Sequence, residues 1–174
     1  MKNILVLIFI NIVSSTFAQT SVNISTTVPS IALMDIAPNN TAFSLNLVAP
    51  TEAGSIATIN PTNSTKWINF SSAVVTGITR KITAQLSGTL PIGLNLKLVV
   101  SNYAGTGAGA LGTSSGTLFL SGTAQIVINS IGGAFTRDGS GNGYNLNYSI
   151  EISDFALLKS QTSTFSIIYT MSDN

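Results

Sequence analysis

From Tyr144 to Asp154 the chain reads Tyr-Asn-Leu-Asn-Tyr-Ser-Ile-Glu-Ile-Ser-Asp, with apolar residues at strict alternate positions. Tyr144, Leu146, Tyr148, Ile150 and Ile152 share one side; Asn145, Asn147, Ser149, Glu151 and Ser153 share the other. A period of two belongs to an extended strand and predicts one that is half buried. The apolar face of such a strand needs a second sheet opposite it, so the rest of the chain must supply matching strands.

Similar patterns recur along the sequence. Ser21 to Val28 places Val22, Ile24, Thr26 and Val28 on one face, and Pro29 marks it as an edge strand or a strand start. Further strands are expected over Ser30 to Ala37, Thr41 to Val48 with Phe43, Leu45 and Leu47 inward, Ser55 to Ile59, and Lys66 to Phe70 with Trp67 and Phe70 on opposite faces. Ile78 to Leu86 carries Arg80 on its apolar side, which predicts a strand end from which the guanidinium reaches solvent. Leu94 to Val100, one or two strands within Thr117 to Ile131, and Thr162 to Met171 complete the set. Two Gly-rich stretches, 101–117 and 132–143, lack periodicity and are expected to be exposed loops. Gly, Pro, Asn and Ser punctuate the rest. The expectation is an all-β antiparallel sandwich, immunoglobulin-like or jelly-roll, of about nine to ten strands.

The start of the chain differs. Lys2 precedes the apolar run Ile4 to Ile12, and small residues at Thr16 and Ala18 precede Gln19. This is the build of a secretory signal peptide over 1–18, with a run too short for the ~20 residues of a membrane span. Residues 19–174 are expected to form a single secreted domain, in the periplasm or at the cell surface.

Composition removes several kinds of chemistry. The chain has no Cys and no His, so thiol catalysis, disulfides, the usual zinc ligands and the commonest general base are absent. Charged residues make up 7%, and the mature chain balances its six carboxylates against as many cations, leaving no basic patch for nucleic acid. The glycines of 101–117 are followed by no Lys and no helix signal, unlike a phosphate-binding loop. Asp138, Ser140 and Asn142 start like a calcium loop, but the twelfth position is Ser149 where an acid is needed, and a hairpin turn fits better. Glu151 and Asp154, three apart on a strand, face opposite ways, and no enzyme, cofactor or metal site is expected. The neutral Ser/Thr/Asn surface, with few lysines to guard sheet edges, favours self-association or contact with other surface subunits. Trp67, with Tyr103 and Tyr144, is either a stacking platform for sugar rings, as in a monomeric carbohydrate-binding module, or part of the core.

Val22 to Val28 near the mature start, Ser121-Gly122-Thr123-Ala124-Gln125 ahead of a strand, and the closing Phe165-Ser166-Ile167-Ile168-Tyr169 together resemble the layout of the spore coat protein U and Csu-type pilin family. The resemblance implies a secreted bacterial subunit with an immunoglobulin-like sandwich completed by a neighbour's donated strand. It further implies a periplasmic chaperone and an outer-membrane usher, with Val22, Ile24 and Val28 as the donated side chains. The competing reading pairs this segment within its own sheet.

Overall fold

The computed structural model describes residues 18–59 and 62–174. The expected signal peptide, apart from Ala18, lies outside the described residues. The strands in chain order are β1 (Ile31–Ala37), β2 (Leu47–Val48), β3 (Thr58–Ile59), β4 (Asn63–Ala73), β5 (Arg80–Ser87), β6 (Leu94–Val100), β7 (Ala108–Gly109), β8 (Thr113–Ser114), β9 (Thr117–Leu120), β10 (Gln125–Ile131), β11 (Ala134–Phe135), β12 (Tyr144–Ile152) and β13 (Ser166–Asp173). Eight have four or more residues; β2, β3, β7, β8 and β11 are two-residue pieces. The sole helical element among the described residues is a 3-10 turn, Phe155–Leu157, capped by Asp154, whose carboxylate accepts from the Ala156 N–H. No helix among them is long and apolar enough to cross a membrane.

The protein is an all-β antiparallel sandwich. In the larger sheet β4 is the hub: β1 lies along one side of it, and β12 followed by β11 lies along the other. Beyond β12 come β6 and then β9, and β7 lies outside β11. The facing sheet runs β13-β5-β10-β8. β2 and β3 form a separate two-stranded pair.

Alternation dictates which side chains fill the space between the sheets. On β12, Tyr144, Leu146, Tyr148 and Ile150 are buried, with the intervening residues half exposed. They meet Ile68 and Phe70 of β4, Leu96, Leu98 and Val100 of β6, and Ile82, Ala84 and Leu86 of β5. Each large apolar side chain buried here contributes roughly 1.5–3 kcal/mol. On β10 the alternation breaks, with Val127 and Ile128 both fully buried. A register shift against β5 between Ile126 and Ile128 turns consecutive residues inward, as a bulge does.

Several expected elements differ. Ser21 to Val28 pairs with nothing; it is an exposed coil. Of Thr41 to Val48 only Leu47–Val48 is strand, and of Ser55 to Ile59 only Thr58–Ile59. Residues 39–46 instead cross the flank of the sandwich, where Phe43 packs on Tyr148 with ring centroids 5.0 Å apart. The Lys66 ammonium, buried on β4, holds this crossing by donating to Asn39 O at 2.9 Å and Asn39 Oδ1 at 3.0 Å.

The Gly-rich stretch 101–117 is not a free loop. It carries β7 and β8, and Leu111 O accepts from the Tyr144 hydroxyl at 2.9 Å. Gly112 shows why glycine is needed there: at φ 89° a Cβ would stand 2.5 Å from Asn129 O. The second stretch, 132–143, likewise contains β11.

Candidate functional site

One flank of the sandwich is open in the sense that both sheets end there in strands with an unpaired edge. β1 ends the larger sheet and β13 ends the facing sheet, and these two strands lie against each other across the open flank. β1 forms a ladder with β4 alone and β13 with β5 alone; no backbone hydrogen bond joins the outer edge of either to another described residue. An unpaired edge is a template for one more strand.

The side chains along this flank are correspondingly under-covered. Met34 and Ile36 of β1, and Ile167, Tyr169 and Met171 of β13, point into the sandwich yet are only half buried. The inward residues of the neighbouring β5, Ile82 and Ala84, are 0% exposed. At the Phe165 end the flank opens into a cavity of about 360 Å³ bordered by Leu45, Leu47, Leu94, Ile150 and Phe165.

The opposite end is closed by Arg80. Sequence reasoning placed its guanidinium in solvent; it is instead 6% exposed and lies between the two edge strands. Nε donates to Asp173 Oδ1 at 2.8 Å, Nη2 to Ser30 Oγ at 2.8 Å, and Nη1 to the Ile31 carbonyl. The first residues of β1 are thereby tied to the last residues of β13, where no ladder bonds join them. An arginine in the inward phase of an alternating strand was the available signal, and its burial is explained by the oxygens that converge on its donors from Asp173, Ser30 and the Ile31 carbonyl.

Immediately before this clamp runs the segment that holds Val22, Ile24 and Val28. They are 85%, 88% and 78% exposed. Val22 to Val28 spans as many residues as the seven of β1, so its reach as a strand matches one edge of the open flank.

The three aromatic residues considered as a sugar platform do not form one. Tyr144 is 1% exposed and lies in the core, stacked near Phe70 at 6.2 Å. Tyr103 packs against the Tyr144 ring at 5.9 Å and its hydroxyl accepts from the Gly107 N–H, so it is half buried inside the loop it braces. Trp67 is half buried on the outer face of β4, opposite in phase to Phe70, as the alternation predicted. Among the described residues, no three Asp or Glu gather as metal ligands. Comparison with protein-family models, with curated proteins and with solved structures finds no match to this chain.

Proposed function

We propose that this chain is a noncatalytic secreted bacterial structural subunit of fimbrial type, exported to the periplasm or cell surface, which assembles by strand donation. The observation that carries the reading is the pairing of an unused donor with an unused acceptor in one chain. Gln19 to Pro29 presents three aliphatic side chains to solvent on an alternating pattern, and the flank between β1 and β13 leaves two strand edges and five inward apolar residues incompletely covered. Exposed apolar side chains in such a register gain stability when another molecule's sheet receives them. The resemblance to the spore coat protein U and Csu-type pilins agrees with this reading, as do the neutral surface and the signal-like start. A chaperone would then occupy the flank before assembly.

The test is the solution mass of Gln19–Asn174 by size exclusion with light scattering. A ladder or polymer that disappears when Gln19 to Val28 is deleted supports donation. Adding a synthetic Gln19–Pro29 peptide to the truncated protein should raise its melting temperature. A monomer in both forms, with no response to the peptide, overturns the proposal.

A further inference from the structure

We propose that the outer face of the larger sheet bears a second, independent site that binds one neutral hexose ring, formed by Leu33, Asp35, Ser71, Phe135, Arg137 and Asp138. These residues line an open depression of about 260 Å³, a size in which a single sugar ring can sit. Its shape follows from register. Leu33 of β1 and Phe135 of β11 both pair with Ser71 of β4, so one row across three strands reads large, small, large. The serine forms the floor, while Leu33, 67% exposed, and Phe135, 43% exposed, form the walls.

The next row supplies polar groups. Asp35 pairs with Asn69 across β1 and β4, and Asp35 makes no ion pair or hydrogen bond among the described residues. Asn69 is 4% exposed and spends both ends of its amide on the neighbouring loop: Nδ2 donates to Asn142 O at 2.7 Å, and Oδ1 accepts from Gly139 N at 3.0 Å. That fixes the turn carrying Arg137 and Asp138. Arg137 is held at φ 68°, a left-handed conformation rare for a residue with a side chain. Its Nε donates to Thr106 O at 3.3 Å, and its Nη donors bond to no other described residue. Thr136, 0% exposed, locks the base of the turn by accepting from Phe70 N at 2.9 Å and donating to Arg137 O at 2.8 Å.

Such a set recognises a polyol. The C–H face of a pyranose lies against an aromatic ring, its hydroxyls donate to carboxylates, and a guanidinium donates to the hydroxyl oxygens. Two carboxylates around one cation disfavour a phosphate or sulfate. In a chain with six acidic residues, two of them converge here beside a half-exposed phenyl ring. Leu33 and Asp35 lie on the outer face of β1, whereas Met34 and Ile36, which would receive a strand, face inward, so the two sites share that strand but no side chain.

The test is amide-shift mapping by NMR on the protein lacking Gln19 to Val28, which keeps every residue of the site, titrated in turn with methyl glucoside, methyl mannoside and methyl galactoside. One of the three should shift the amides of Asp35, Ser71 and 135–138, with a dissociation constant in the millimolar range expected of a single ring on an open surface. Phe135→Ala and Asp138→Asn should each weaken binding about tenfold; the second keeps an oxygen for the Gly139 N–H. Ser71→Leu should abolish binding by filling the floor while leaving the spectrum dispersed. Shifts absent with all three sugars, centred elsewhere, or unchanged in Phe135→Ala and Asp138→Asn overturn the site.

Discussion

The hydroxyl groups of Tyr148 and Tyr169 meet at 2.6 Å, a bond that joins β12 of one sheet to β13 of the other. Burial pushes the Tyr148 phenol up to about 12 from the usual 10.0, partly offset by the bond to Tyr169, and burial pushes Tyr169 up as well. Both rings are held in their neutral form, so the stability they contribute is present below pH 10.0 and declines as the pH climbs toward 12. Urea midpoints measured from neutral pH upward should be level to about pH 10 and then fall. The Tyr148→Phe/Tyr169→Phe double variant should show a shallower fall, and an equally steep one would remove these two groups as the cause.

Arg80 and Asp173 should contribute unequally although they pair. Asp173 is 64% exposed at its side chain, so Asp173→Asn should cost less than about 1 kcal/mol. Arg80→Ala removes the donor to the half-buried Ile31 carbonyl and to Ser30 and empties the space of a side chain that is itself buried, and should cost about 2 kcal/mol or more. Chemical denaturation of the two variants measures the difference; equal costs would mean that the ion pair, not the backbone clamp, is what Arg80 provides.

Two glycines of the 139–143 turn should respond differently to alanine. Gly141 sits at φ 86° with open space around it, so Gly141→Ala should cost only the left-handed backbone term, about 1–2 kcal/mol. Gly143 sits at φ 88°, and a Cβ there would overlap the Ile68 carbonyl oxygen and the Asn69 side-chain nitrogen. Gly143→Ala should exceed Gly141→Ala by a further ~1–3 kcal/mol in thermal or urea unfolding.

Ile24→Asp separates folding from assembly. The side chain is 88% exposed and touches no part of the core, so melting temperature should be unchanged. If the segment is a donor, a carboxylate forced into an apolar flank should abolish higher-mass species in light scattering. Undiminished polymer would place the contact elsewhere.

Alternation made the interior legible and the edges illegible. For β12, β6 and β13 the alternating residues name the inward face correctly, because a period of two has one geometric solution once a strand has neighbours. Ser21 to Val28 shows the same period with no neighbour at all: periodicity reports a preference for a sheet, not which molecule supplies it. Arg80 was read as solvent-seeking because burial of its charge depends on the Ile31 carbonyl, Ser30 and Asp173 arriving from up to 93 residues away. The depression at Ser71 was hidden for a similar reason, since Leu33, Ser71 and Phe135 become one row only through inter-strand register.

The ladder of β13 on β5 also has a temporal meaning. Its rungs run from Ser166 with Ser87 to Asp173 with Arg80, and the last spans 93 residues. Loops of that length close slowly, and topologies dominated by them fold in milliseconds to seconds. Because Asp173 of β13 follows Arg80 of β5 by 93 residues, β5 must wait, one edge bare, until that length of chain has been synthesised after it. During that interval any extended segment of a neighbouring chain competes for the same edge, so the yield of correctly folded protein should depend on how crowded the folding compartment is.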